Sequence, residues 1–200
     1  IVVGGKARPL EGFSPHAAME AGLALVPADR HRDGAVGGVS VMENMLLLVA
    51  TDYYRRGYLS RRAMRQTAAE RVAAFDIRPP DASLDFSVLS GGNQQKVMLA
   101  KWLEIDPDVV LLHEPTQGVD VGAREDIYRL LGRSVSAGKA ALWVSTEFTE
   151  LATVCDRVLV IAGGRVAEEL SGPSLSKETI SAAVYANAAR AGEQLEELGG

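Results

Sequence analysis

The chain has 200 residues, 47% of them hydrophobic, and a formal charge of −5; that length buries one compact core with room for a small attached subdomain. Its basic residues are spread along the chain, without the clustered footprint that a phosphate backbone requires, which argues against nucleic acid as a partner. No apolar run approaches the ~18 residues of a spanning helix, and the opening IVVGGKARP lacks the charge order and length of a signal peptide. The single cysteine, Cys155, excludes an internal disulfide. It reads as a small buried hydrophobe in a protein of a reducing compartment.

In chain order, Ile1 to Val3 reads as a strand already in progress, which, with no initial methionine, points to a piece of a longer protein; GGKARP follows as a turn. Ser14 caps a helix running to Gly22, with Pro15 at its first position. LALVP (23–27) is a short buried strand stopped by proline. From Ser40 to about Glu104 the pattern is helical throughout, in VMENMLLLVATDYYRR, LSRRAMRQTAAERVAAF and SGGNQQKVMLAKWLE. After Pro107, VVLLHE and ALWVST are apolar runs separated by the helical AREDIYRLLGRSVSAG, so a right-handed crossover and a parallel sheet are expected. A helix over Phe148 to Val154 leads into RVLVIAGGRVAEEL, a hairpin about its two glycines. The tail after Pro173 is rich in alanine and glutamate and reads as helix.

Two stretches carry chemistry. Parallel strands are covered on both faces, so functional groups gather at their carboxyl ends; His113 and Glu114 end the strand VVLLH there, and a carboxylate so placed orients a water for attack on a phosphoryl group. An ordinary strand-to-turn exit is the plain alternative. In LSGGNQQKV (89–97), serine and two glycines precede a helix whose Val97, Met98, Ala100 and Leu103 face a core. Free amides at a positive helix end attract a phosphate, and glycine lets it approach closely. A capped helix after a loop explains the same residues.

Together and in this order, LSGGNQQKV, VVLLHEPTQGVD and WVSTEFTEL resemble the signature motif, the Walker B strand with its D-loop, and the switch strand of the ATP-binding subunits of ABC transporters. ALVPADRHRDGAV (24–36) and GVSVMEN (38–44), with LSGGNQQK and PTQGVDVGA, are similar to the C-terminal ATPase half of the ribose, xylose and galactose importers. The resemblance implies an α/β fold, a RecA-like P-loop NTPase core of the ABC ATPase type with an inserted helical subdomain: residues 1–200 form a partial nucleotide-binding domain, with 40–104 as its helical, signature-bearing part. It implies ATP and Mg2+ as cofactors, an N-terminal ATPase half or second ATPase copy and membrane permease subunits as partners, a periplasmic sugar-binding protein as an indirect partner, and a peripheral place on the cytoplasmic face of the cell membrane. The alternative is a soluble ABC-type regulatory or binding protein with no permease.

The departures from the family pattern are as informative. No glycine-rich loop ending Gly-Lys-Ser/Thr occurs in the sequence, so the cradle for the β- and γ-phosphates is missing. His113 stands where the family has a magnesium-binding aspartate, Thr146 where most members have the switch histidine, and Ala28 in place of a polar Q-loop residue. Glu114 is thus the catalytic glutamate of a degenerate site, and no residue is assigned to metal. His113 as a satisfied buried group is an equal reading. Ser90, Gly91, Gly92 and Gln94 match the signature fully and would complete a partner's ATP site, with Asp120 at the dimer seam or simply capping the helix that begins near Gly122. Arg30, His31 and Arg32 are either a solvated face or a permease contact. Leu46 to Val49 belong to the helical subdomain's core or to a docking surface.

Overall fold

The computed structural model describes residues 1–9, 11–55 and 57–199, with side chains described through residue 190. It divides into two compact units, Ile1–Val144 and Ser145–Gly200.

The first unit opens with β1 (Val2–Val3) and β2 (Lys6–Ala7), an antiparallel pair. Gly4 and Gly5 both adopt positive φ between them, the conformation that closes a two-residue hairpin; the segment read as a turn therefore supplies the second strand. Helix α1 (Pro15–Glu20) starts as its sequence dictates, with Ser14 Oγ accepting the Ala17 N–H at 3.2 Å. Strand β3 (Leu23–Val26) follows. A π-helical turn at Arg30–Gly34 then leads to α2 (Val41–Leu46), whose Ser40 and Glu43 form a reciprocal capping box.

The continuous helix read over residues 41–56 breaks after Leu46. A 3₁₀ segment (Leu47–Tyr53) kinks at Val49 and gives way to a hairpin of β4 (Tyr54–Arg55) and β5 (Tyr58–Leu59). β-branched Val49 and Thr51 and the tyrosines favour extended backbone, and Gly57 supplies the positive φ that the turn needs. The segment is therefore not wholly helical. Helix α3 (Arg61–Ala74) is capped by Ser60, and α4 (Gly91–Leu103) follows a short 3₁₀ turn at Phe86–Val88.

Strand β6 (Val109–His113), helix α5 (Val121–Ser136) and β7 (Ala140–Val144) complete the unit. Strands β3, β6 and β7 form a parallel sheet in that order, with Leu25, Leu111 and Leu142 in one row and Val26, Leu112 and Trp143 in the next.

Helix α4 is the wall between two cores. Val97, Met98 and Ala100 join α2, α3 and Phe86, whereas Leu99 joins Val26, Val110, Leu112 and, from α5, Ile127 and Leu131. A helix apolar on several sides must be buried on several sides. The sheet, by contrast, is covered on one face only by the described residues of its own unit. Leu25, Leu142 and Val144 on the other face are 47%, 54% and 54% exposed, against the expectation that a parallel strand is buried twice.

In the second unit, α6 (Phe148–Val154) precedes the antiparallel pair β8 (Arg157–Ala162) and β9 (Arg165–Ser171), joined through Gly163 and Gly164 at positive φ. Helix α7 (Lys177–Gly199) packs on α6 and β8, burying Ile180 and Ala183. Cys155, at the end of α6, is half-buried rather than part of a core; burial raises its thiol pKa above the ordinary value, with Asp156 and Glu150 adding to the effect.

Candidate functional site

Ser90 holds the N-cap position of α4 with extended backbone, yet its hydroxyl does not cap the helix. Asn93 Nδ2 donates to Ser90 Oγ at 2.9 Å instead, while Asn93 Oδ1 accepts the Arg78 N–H at 2.7 Å. The serine is thus held exposed by its neighbour, and the N–H groups of the first turn lack intrahelical partners at the positive end of the helix. Nothing in the sequence pattern singled out Asn93, although a polar residue three positions after a cap is a recognisable signal.

The two signature glycines have a packing reason to be glycine. A Cβ on Gly91 would lie 2.9 Å from the Gly118 carbonyl oxygen and 3.0 Å from Arg30 Nη2. A Cβ on Gly92 would overlap the Ala123 methyl group and come within 3.4 Å of Asp120 Oδ2. The space that a ligand was expected to need is space that the chain itself already uses. This contact also brings together motifs almost thirty positions apart: the first turn of α4 lies against the turn leaving β6 and the start of α5. Asp120 Oδ1 accepts the Ala123 N–H at 3.0 Å and caps α5. The capping reading of Asp120 therefore holds, with the helix beginning at Val121 rather than Gly122.

Gln94, expected at the ligand, is turned inward. It is buried; its Oε1 accepts from Arg30 Nε at 3.0 Å and its Nε2 donates to the Phe86 carbonyl at 3.3 Å. Arg30 also donates from Nη1 to the Gln117 carbonyl at 3.2 Å. Arg30 is thus neither a wholly solvated side chain nor one directed away from the signature. His31 is exposed and meets Phe86 edge-on, with ring centroids 6.3 Å apart, while Arg32 points to solvent beside Asp33. Asp29 fixes this turn by accepting the N–H groups of His31 and Arg32, both at 3.0 Å. The Arg32 backbone bond, opposed in part by desolvation and helped by His31, holds its carboxyl below the usual range.

The rest of the loop is tied to the helices. Lys101 Nζ, buried in α4, donates to the Gly34 carbonyl at 2.8 Å, and burial lowers its pKa. Asn44 bonds Val36 through both its N–H and its carbonyl, at 2.7 and 3.0 Å. Of the stretch 46–49, Leu46 is buried and Leu47 is 46% exposed, so one residue serves the core and the next faces out.

At the other end of the sheet row, β6 stops because Glu114 adopts a left-handed conformation, φ 48°. Its N–H donates to the Val144 carbonyl at 2.8 Å and its carbonyl accepts from Gln117. The half-buried glutamate therefore starts the turn that carries Gln117 to Asp120. His113 is exposed, which rules out the buried, satisfied histidine. Ala28 is half-buried beyond β3, in the same unit; Thr146 lies in the second unit, past the end of β7. An imidazole beside one carboxylate is a donor set that magnesium disfavours, and no group of three or more metal-ligating side chains forms among the described residues. These residues do not fit a magnesium site.

The ABC transporter family model matches residues 9–117. The chain is 43% identical to a putative ribose/galactose/methyl galactoside import ATP-binding protein of Agrobacterium fabrum (strain C58), over 84% of this chain and 34% of that protein. It is 41% identical to a ribose import ATP-binding protein of Chromobacterium violaceum (90% and 36% covered) and 40% identical to a xylose import ATP-binding protein of Photobacterium profundum (84% and 33%). The chain spans about a third of the length of these relatives. Among solved structures, a dimeric ATP-binding cassette in a post-hydrolysis state bound to ADP and Pi superposes with a TM-score of 0.66 at 21% identity, covering 85% of this chain and 72% of that one. A second dimeric structure, of a bacterial ABC transporter cassette, gives 0.60 at 25% identity, covering 75% and 62%. With the family model matching residues 9–117, relatives above 40% identical over most of the chain and the same fold in solved cassettes, the chain belongs to the ABC transporter family.

Proposed function

We propose that this chain is part of the ATP-binding subunit of a monosaccharide importer, and that its α4 N-terminus closes on a nucleotide presented by a second ATPase half or copy. The observation that carries the reading is the uncapped first turn of α4, with Ser90 Oγ held outward by Asn93 and Asp120 beside it. Three amide donors, a hydroxyl and a positive helix end suit the terminal phosphate of ATP. The import proteins among the relatives support the sugar class, and the ADP-bound cassette of the same fold supports the nucleotide. Gln94 serves from inside, by keeping the turn in place. Residues 1–200 are then a partial nucleotide-binding domain and 40–104 its signature-bearing part. The permease and, through it, a periplasmic sugar-binding protein are the further partners. A peripheral place on the cytoplasmic face of the membrane follows from that assembly, and no helix among the described residues is long and apolar enough to cross a membrane.

The chain's own half-site is degenerate in this reading: Glu114 keeps its carboxylate, but His113 and Ala28 replace groups that would position water and metal around it. The test compares two substitutions in the complete transporter, by phosphate release at saturating ATP. Ser90→Arg fills the phosphate position and should lower turnover about a hundredfold, whereas Glu114→Gln should leave it within about twofold, since an unpositioned water gains nothing from the base. Unchanged turnover in Ser90→Arg would sink the signature reading; a severe loss in Glu114→Gln would show a working half-site.

A further inference from the structure

We propose that Arg30 is a positioning residue, a clamp that locks the first turn of α4 to the turn carrying Gln117 to Asp120 and to the loop after β3, so that the three segments move as one piece. The inference rests on the signature reading above and deepens it.

The guanidinium lies across a gap between elements remote in sequence. Its Nε donates to Gln94 Oε1 at 3.0 Å, 64 residues away, and its Nη1 to the Gln117 carbonyl at 3.2 Å, 87 residues away. The remaining nitrogen, Nη2, sits 3.0 Å from where a Gly91 Cβ would stand and 3.8 Å from the corresponding point on Gly118. The planar fork thus fills the seam that the two glycines leave open. No carboxylate lies within ion-pair distance of it among the described residues. A cation at the positive end of a helix is electrostatically disfavoured, so geometry rather than charge pairing accounts for this placement. An arginine's rigid planar fork holds two carbonyl oxygens in fixed directions from separate nitrogens; a lysine's three donors rotate about one nitrogen and cannot reproduce that spread.

The loop that bears Arg30 is not free to follow the sheet. Lys101 holds Gly34, Asn44 holds Val36 at both backbone groups, and the Val39 carbonyl accepts the Phe86 N–H at 3.2 Å, so the loop rides with α2 and α4. Gln117, by contrast, belongs to the turn that leaves β6. A shift of α4 against the sheet therefore stretches an Arg30 bond, and a shift that keeps both bonds carries Ser90 and Asp120 together. The signature serine and the seam aspartate are presented to a nucleotide in fixed register.

The experiment is amide hydrogen exchange on the whole 200-residue chain, comparing Arg30→Ala, Arg30→Lys and Gln94→Ala. Arg30→Ala and Arg30→Lys should each speed exchange about tenfold in residues 30–36 and 117–120 while α3 and α5 stay unchanged, as local opening without global loss requires. Gln94→Ala should loosen 30–36 but spare 117–120, because the Gln117 bond survives. Protection unchanged in Arg30→Ala, full rescue by lysine, or a uniform loss through α3 would each overturn the clamp. In the complete transporter, Arg30→Lys should lower kcat about tenfold with KM for ATP held, as misplacement rather than lost binding predicts; a raised KM at unchanged kcat would make Arg30 a ligand-binding group and overturn the proposal. Failure of the signature reading shows separately, as normal turnover in Ser90→Arg.

Discussion

Among single residues, the buried lysines of α4 show how a signature helix can carry charge into a core. Lys96, 5% exposed at its side chain, donates to Asp126 Oδ2 at 2.6 Å and to the Asp76 carbonyl at 3.0 Å, joining α4 to α5 and to the end of α3. The Lys96 hydrogen bond, opposed by partial desolvation and helped by Arg129, holds the Asp126 carboxyl below the usual range. A carboxyl whose folded pKa is depressed contributes stability that is complete above its unfolded pKa and is lost as pH falls through the folded value. Asp126→Asn should therefore cost about 2 kcal/mol near neutral pH, toward the low side for a broken buried pair because Lys96 keeps the Asp76 carbonyl. The gap to the parent should close as pH drops below the ordinary carboxylate pKa of ~3.9. Urea midpoints of both proteins between neutral and strongly acidic pH check this; a gap constant with pH would show that the pair adds nothing through ionisation.

At the level of elements, the contact between α4 and α5 makes glycine obligatory where helix propensity alone would favour alanine. Gly92 is helical, so Gly92→Ala should gain roughly 1 kcal/mol from backbone entropy if nothing else mattered. Its Cβ would overlap the Ala123 methyl group, and forcing two helix starts apart costs about 1–3 kcal/mol. Overpacking wins, and the variant should be the less stable protein by thermal or urea denaturation. Asp120→Ala, which removes the α5 cap without crowding the seam, should cost about 1 kcal/mol. A stabilised Gly92→Ala would mean that α4 can slide along α5, and that the register of Ser90 with Asp120 is soft.

At the scale of the whole chain, these 200 residues are proposed to supply the signature side of a nucleotide site. No Gly-Lys-Ser/Thr element occurs in the sequence, and the amides of one helix start engage a phosphate only when something else presents it. The isolated chain should bind ATP with a Kd of about 1 mM or weaker, near −4 kcal/mol. Isothermal calorimetry on the chain alone measures this, and a micromolar Kd would reveal a nucleotide site that the signature does not explain. The sheet face at Leu25, Leu142 and Val144 belongs to the same scale: among the described residues it leaves apolar area exposed.

What the sequence determined by itself lies within a few residues of each signal. Ser14, Ser40, Ser60 and Asp120 mark helix starts because an N-cap oxygen reaches an amide only two or three positions ahead. The paired glycines at 163–164 fix a hairpin because both must adopt positive φ, and the apolar runs at 109–113 and 140–144 declare a parallel pair through the helix between them, which the strand at 23–26 joins in the fold. The order of the signature and Walker B motifs was equally legible, since it is written along the chain. Tertiary structure alone decided that Gln94 faces inward, that Gly92 abuts Ala123 and that Arg30 spans to Gln117. These depend on contacts between residues tens of positions apart, where no periodicity or cap reports which side chain will be neighbour to which. Only the packing of α4 between two cores sets that.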